Sequence, residues 1–350
     1  MSWGRQLADN LRDIVHAMPK IELHRHLEGS LRLTSLVEIA ETHGIMMPEY
    51  EIETIRPFVQ VMPDQPRTSA NFIGKFSTLR QFYLSPEVIQ RLTREVVIDA
   101  AEDNVKYMEL RFTPNTLCKI IKCNPADAIQ WVCETALQTA EEYDIQIGLI
   151  VSMNRHEGVD IAEQAADAAI KHYHMGIIAL DLAGVEEGHS ASKFKHIFQK
   201  GRDAGLNITL HAGEWEGAQS VWDAVGNVGA ERIGHGIRAI EDPGVLSILK
   251  ERGTVLEVCP TSNVDSGAVP SFAAHPLREL IDEGINVTIN TDDPLVSNIT
   301  LSDELYRTIT HFDLTIDDIK KLTLLAAKSA FLSDDKKQDL ILRFQNWLYT

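Results

Sequence analysis

The sequence predicts a (β/α)₈ barrel with extra C-terminal helices, forming one domain over residues 1–350. Three observations carry that prediction. Eight short β-branched and apolar runs alternate with helix-length segments. Several of those segments end at a glycine directly before the next run. Polar, chemically capable residues stand at the C-terminal end of nearly every run and come from both halves of the chain. A barrel brings such ends together around one mouth. A doubly wound open sheet is the alternative, and it explains that ring less well.

The runs are residues 20–26, 105–112, 145–152, 176–182, 206–211, 232–235, 254–259 and 285–290. Helices are predicted over 124–143, 159–174, 192–204, 220–226 and 243–252, with Pro125 in a first turn. Gly176, Gly205, Gly253 and Gly284 fit the left-handed position that ends a helix. The strand-end residues, in order, are His24 and His26, Arg111 and Thr113, Asn154 and Arg155, Asp181 and Gly184, His211 and Glu214, His235, Thr261 to Asn263, and Asp292 and Asp293. Residues 27–104 are too long for one crossover helix and predict a helical insertion that covers the mouth, with helices from about Asn71 to Asn104. Helices over 302–311, 317–329 and 334–347 close the chain, with Thr315 and Ser333 as caps.

The chain carries 51 acids against 33 bases, a net charge of −18. That excess argues against nucleic acid or an anionic membrane as partner. The N-terminal twenty residues read as a polar amphipathic helix and not as a signal peptide, and no apolar run of membrane-spanning length occurs. Cys118, Cys123, Cys133 and Cys259 form no CxxC pair. They predict free thiols in a reducing, cytoplasmic compartment; a weak metal pair at Cys118 and Cys123 is the alternative.

The chemistry starts from NTDDP. Asp292 and Asp293 are adjacent carboxylates at a strand end and repel each other. A bound cation and a hydrogen-bonded substrate relieve that repulsion. His24 and His26 are two residues apart on a strand, so their side chains share one face. His211 ends a third apolar strand. Three imidazoles and the Asp292 carboxylate make a His₃Asp set that suits one Zn²⁺ or a similar divalent ion with room for water. The fourth strand, GIIALDLAG, has no lysine to bridge a second metal. Glu214, three residues beyond His211, is a candidate general acid if its pocket is dry; as the first acid of the next helix it would be unremarkable. His235, between two glycines, is placed to orient or deprotonate a water beside Asp293. The remaining histidines, including His156 and His275, are expected to be mostly exposed or locally bonded, and Arg111 to balance buried acids. Asn154 and Arg155 are expected at the rim.

The blocks PKIELHRHLEGSLR, VKYMELRFTP, ALDLAGVE, ITLHAGE, ERIGHGIRAIED, LEVCPTSN, HPLRELIDEG and TINTDDP are similar to those of the adenosine deaminase family of amidohydrolase barrels, in the same order, from Pro19 to Pro294. The His-x-Glu and Pro-Cys-x-x-Cys signature of the other zinc deaminase fold is absent. The resemblance implies that His24, His26, His211 and Asp292 bind zinc and that Glu214 protonates purine N1. It implies that His235 and Asp293 position and activate the water, with Asp293 also reaching N7. Gly184 would donate its N–H to N3, and residue 28 would meet the ribose 5′-hydroxyl. The implied partner is a small-molecule purine nucleoside, adenosine or 2′-deoxyadenosine, deaminated in purine salvage. The chain departs from the adenosine pattern at Glu28, which stands in HLEG where those enzymes have HLDG. Relatives acting on adenine carry Glu in this block but usually read NSDDP. Deamination of adenine, or of a 5′-modified adenosine such as aminodeoxyfutalosine, is therefore the alternative. A non-catalytic purine-binding barrel would be expected to have lost a ligand or Glu214, and the sequence keeps both.

Overall fold

The computed structural model describes the backbone of residues 3–349 and the side chains of residues 10–349. Eight parallel strands pair in chain order: β1 (Lys20–His26), β2 (Val105–Phe112), β3 (Gln146–Asn154), β4 (Ile177–Ala183), β5 (Asn207–Ala212), β6 (Arg232–His235), β7 (Val255–Val258) and β8 (Asn286–Ile289). Every one lies within two residues of its predicted run. Closure comes just after β8. His26 N–H donates to the Asp292 carbonyl at 2.8 Å, and Asp292 N–H donates to the His24 carbonyl at 3.0 Å. The barrel is thus sealed by the residues that the sequence assigns to chemistry.

The helices form as their sequences direct. The helix Pro125–Glu142 has proline in its first turn and a capping box between Asn124 and Asp127. Thr315 caps Ile316–Ser329 in the same way. Gly176, Gly205, Gly253 and Gly284 all adopt positive φ at turns into the next strand. The helix expected over 220–226 instead starts at Ala218 and widens into a π-helical stretch over Asp223–Val228.

Helix α1 (Trp3–Ala17) precedes β1. The insertion after β1 contains α2 (Leu33–His43), α3 (Ile52–Val59), α4 (Ser69–Leu79) and α5 (Pro86–Glu102). The sequence reading anticipated the last two. Helix α3 carries Pro57 internally, a residue that argues against a helix when read locally.

Inside the barrel, buried charges pair completely enough to be tolerated. Glu257 accepts from Arg111 Nη2 at 2.7 Å, Arg232 Nε at 2.7 Å and Thr209 Oγ1 at 3.1 Å. Arg232 also pairs with Glu109, and its guanidinium lies 3.6 Å over the Phe331 ring. The role expected of Arg111 holds. Arg155 does not sit at the rim: it is buried, and donates to the Leu182 carbonyl at 3.2 Å and to the His211 carbonyl.

The thiol reading is corrected at two positions. Cys118 and Cys123 form a disulfide, with Cα atoms 4.8 Å apart. Helix α6 (Pro114–Ile121) ends there, and Lys122 takes a left-handed conformation that folds Cys123 back over Cys118. Cys133 and Cys259 are free and buried, as expected. Among the described residues no helix is long and apolar enough to cross a membrane.

The segment after β7 is held by Glu304, a buried residue of the helix Leu301–His311 that accepts from Thr261 N–H at 2.7 Å and from the Thr261 hydroxyl. Burial pushes the Glu304 carboxyl up from 4.5 to about 7, against the hydrogen bonds from Thr261. A raised acid pKa stabilises the fold while the group is protonated, and that contribution fades as pH rises from 4.5 to about 7. Glu304→Gln, which cannot ionise, should therefore gain on the parent in melting temperature as pH rises through that window. Thermal melts across the pH series measure the gain.

Candidate functional site

Four side chains converge at the C-terminal mouth of the barrel. His24 and His26 leave β1 on one face, as their spacing requires, and His211 leaves β5. Asp292 follows β8 at φ 63°, a left-handed conformation uncommon for a non-glycine residue. His24 Nε2 lies 3.1 Å from Asp292 Oδ1, His26 Nε2 lies 3.3 Å from the same oxygen, and His26 Nε2 lies 3.1 Å from His211 Nε2. Ligand atoms about 2.0–2.1 Å from a tetrahedral ion are separated by roughly 3.3 Å, so the spacing fits a divalent metal.

The outer partners make the fit chemical as well as geometric. His24 Nδ1 donates to Glu257 Oε2 at 2.8 Å, and His211 Nδ1 donates to Asp181 Oδ1 at 2.9 Å. With Nδ1 held as the donor, each ring would turn an Nε2 lone pair toward a bound cation once Nε2 is deprotonated. Lone pairs facing one another at this range require a proton or a cation between them. Asp292 Oδ2 accepts from Ser262 Oγ at 2.7 Å, which leaves Oδ1 for the centre.

His235 also approaches this group: ligand atoms of His24, His211, His235 and Asp292 lie within 4.8 Å of one another. That set and the predicted one differ in His235 versus His26. Hydrogen bonding favours His26. Leu277 N–H donates to His275 Nδ1 at 3.0 Å, so His275 Nε2–H donates to Asn263 Oδ1 at 3.2 Å. The Asn263 amide N–H then donates to His235 Nδ1 at 3.1 Å. Burial holds His235 well below its ordinary pKa, so the ring is neutral and its Nε2 carries the proton. His235 therefore presents a donor and no free lone pair. It also sits at φ 61°, a strained position that its packing must maintain.

Two acids face the same centre without binding it. Glu214 Oε1 accepts from Ser266 Oγ at 3.1 Å, and its Oε2 lies 3.5 Å from His235 Nε2. Burial, then the charges of Asp292 and Glu186, push the Glu214 carboxyl well above its ordinary range. Asp293 is raised by the same causes, burial first and then its neighbours Asp292, Glu28 and Glu214. Asp293 Oδ1 is buried and has no partner. The two adjacent carboxylates are thus divided: Asp292 is held ionised among imidazoles, while Asp293 favours its protonated form until a ligand or cation arrives.

These groups line a cavity with Glu28, Thr113, Thr116, Asn154, His156 and Gly184 on its wall. Gly184 adopts φ 86°, and a Cβ there would lie 2.5 Å from His156 Nδ1. Glu28 Oε1 accepts from Thr113 N–H at 2.7 Å, while its Oε2 is buried without a partner. Phe72, Ile73, Phe76 and Arg80 of the insertion cover the cavity.

All nine site residues proposed from sequence line the cavity or back it. Sequence reasoning missed the groups behind them. Glu257, Asp181 and the Asn263–His275 pair orient the imidazoles. Glu186 accepts from the N–H groups of Gly213, Glu214, Trp215 and Glu216 and so fixes the loop that presents Glu214. Asp181 and Asn263 stood among the strand-end residues, and Glu186 lies in ALDLAGVE. Nothing local marked Glu257. His275 is buried in this network, and His156 faces the cavity, both against expectation.

The adenosine deaminase family profile matches residues 19–347. An adenosine deaminase from Aliivibrio fischeri is 35% identical over 327 residues, covering 93% of this chain and 98% of the relative. The crystal structure of an adenine deaminase from Arthrobacter aurescens superposes with a TM-score of 0.88 at 28% identity, covering 95% of this chain and 100% of that one. Arabidopsis ADAL in complex with GMP superposes with a TM-score of 0.83 at 25% identity, covering 95% and 98%.

Asp293 packs directly on Gly29, where a Cβ would lie 1.7 Å from Asp293 Oδ1. Gly29→Ala should displace that carboxylate and lower kcat/KM about 100-fold, the scale of an ångström-sized misplacement, while metal content stays at the parental value. Steady-state rates and metal analysis on the same samples check this.

Proposed function

Because the chain belongs to the adenosine deaminase family, we propose that it is a zinc-dependent aminohydrolase that converts adenosine and 2′-deoxyadenosine to inosine or deoxyinosine plus ammonia in purine salvage. The observation that carries this is the pairing of a convergent His₃Asp set with a buried, proton-holding Glu214 in one cavity. A non-catalytic binding barrel has no use for that acid.

His24, His26, His211 and Asp292 would hold the ion. An ion held there would supply a water whose pKa is lowered toward about 7 and which is nucleophilic. The side chains then divide the remaining work. Glu214 donates its proton to purine N1, which makes C6 electrophilic. His235, fixed as an Nε2 donor by Asn263, orients the attacking oxygen. Asp293 takes up the proton of the water and bonds N7. Gly184 N–H faces N3. The water oxygen adds at C6, the proton taken up by Asp293 passes to the amino group, which leaves as ammonia as its bond to C6 breaks, and the added hydroxyl returns its proton to Glu214, so that a 6-oxo purine protonated at N1 remains.

Glu28 sets the runner-up. Its free Oε2 suits a hydroxyl on the N9 substituent, yet the longer acid also leaves less room than Asp. Free adenine and 5′-modified adenosines are therefore the competing substrates, and the likeness to an adenine deaminase supports keeping the first of them in view. Residues 27–104 act as a lid within a single domain, since their aromatic residues cover the cavity. The Cys118–Cys123 disulfide weakens the thiol argument for a cytoplasmic location.

A side-by-side deamination assay with adenosine, 2′-deoxyadenosine and adenine tests the assignment. The nucleosides should be deaminated and adenine should be the poorer substrate; preference for free adenine would overturn it. Glu214→Gln should retain metal and lose at least about 100-fold in kcat, the range for removing a general acid. Glu28→Asp should raise kcat/KM for adenosine.

A further inference from the structure

Helix α6 joins the cavity to the disulfide. Thr113 and Thr116, at its start, line the cavity wall. Thr113 N–H holds Glu28 Oε1 at 2.7 Å, and Asn154 Nδ2 donates to Thr116 Oγ1 at 3.5 Å. Cys118 lies one step further along the same helix and is buried. The helix then closes. Lys122 N–H donates to the Cys118 carbonyl at 2.7 Å, and the left-handed turn at Lys122 brings Cys123 back to Cys118. A helix of 8 residues is marginal on its own. At its N-terminus Thr113 makes no side-chain capping bond. Where Thr113 and Thr116 stand therefore depends on how the other end of the helix is closed.

The plain alternative is a structural staple. A disulfide used that way stabilises most when it closes a long loop, and this one joins cysteines 5 positions apart. Its surroundings suit exchange. Cys123 is only partly buried, and Lys119 and Lys122 stand exposed in the loop that the bond closes. Neighbouring ammonium groups favour a thiolate, the species that exchanges. Cys133 and Cys259 are the contrast. Both are buried, and burial pushes the Cys133 thiol up to about 12 and the Cys259 thiol well above its ordinary range. A dithiol in solution therefore acts at Cys118–Cys123 and leaves the other two sulfurs alone.

We propose that the Cys118–Cys123 disulfide is a redox switch on substrate binding: oxidised, it closes α6 and holds Thr113 and Thr116 at the cavity wall; reduced, it frees the last turn of α6 and weakens binding of the nucleoside. The inference rests on the deaminase reading above and adds its regulation. The reductant is a dithiol. Its thiolate attacks Cys123 Sγ, the S–S bond breaks, and Cys118 leaves as a thiolate. The second sulfur of the dithiol then attacks the mixed disulfide, and Cys123 leaves in turn. Each cysteine takes up a proton that the dithiol has given up. Two electrons pass from the dithiol, which becomes a cyclic disulfide, to the cystine.

The test follows zinc-loaded protein through three states: oxidised, reduced with dithiothreitol that is then removed in zinc buffer without oxygen, and reoxidised with oxidised glutathione. Native thiol titration, bound zinc and adenosine kinetics are read on the same samples. Cys118 and Cys123 should become titratable on reduction while Cys133 and Cys259 stay silent. KM for adenosine should rise about 5-fold, the equivalent of one ordinary hydrogen bond, and return on reoxidation, with kcat and bound zinc unchanged. Cys123→Ser, at the more exposed position, should sit at the reduced KM and respond to neither reagent. A KM that is equal in the oxidised and reduced protein would overturn the switch, as would a bond that dithiothreitol cannot open in the folded protein. A fall in kcat that tracks lost zinc would also overturn it, since the effect would then lie at the metal. Deamination of adenosine in neither state would overturn the deaminase reading, and this inference with it.

Discussion

A single buried carboxylate joins the barrel's interior to its chemistry. Glu257 accepts a hydrogen bond from His24 Nδ1–H on one side and from the guanidinium groups of Arg111 and Arg232 on the other. Burial alone would raise its pKa, but the two arginines hold it well below the usual carboxylate range. An ionised Glu257 keeps His24 in the tautomer that turns Nε2 to the centre. Asp181 does the same for His211 and lies 3.6 Å from Arg111. The charged layer thus solves two problems at once. It pairs its own buried charges, although Arg111 Nε and Nη1 make no hydrogen bond, and it aims two imidazoles.

Above that layer the backbone is bent to purpose. His235 and Asp292 both occupy left-handed φ, a conformation that costs free energy at non-glycine residues. Asp292 is held there by backbone bonds to β1 on both its N–H and its carbonyl. His235 is held by Asn263, which is aligned by His275 in turn. Gly234 lets His24 pack close, since a Cβ there would lie 2.8 Å from His24 Cε1. The strain is retained because several elements over-determine each position.

The barrel was legible because its strands are short apolar runs punctuated by helix-ending glycines, and both signals are local. His24, His26, His211, Asp292 and Asp293 were legible for a different reason: polar residues at the ends of apolar strands need a partner. The outer partners were not legible. Glu257 sits 233 positions from His24, and an acid in LEVCP looks like any other. Arg155 was placed at the rim because a strand-end arginine gives no sign of whether it turns outward or inward. The disulfide was missed because a spacing of five says little until Lys122 reverses the chain. The lid residues Phe72, Phe76 and Arg80 belong to an amphipathic insertion whose docking face only tertiary structure defines.

The central claim is that one metal ion and the protonated Glu214 work in the same cavity. Titrating chelator-treated protein with Zn²⁺, while reading bound metal and adenosine deamination on the same samples, tests it most directly. The account predicts that activity rises in proportion to bound zinc and saturates at one equivalent per chain, and that Glu214→Gln binds the same equivalent without recovering turnover. Full deamination in metal-free protein, or equal turnover by metal-loaded Glu214→Gln, would contradict it.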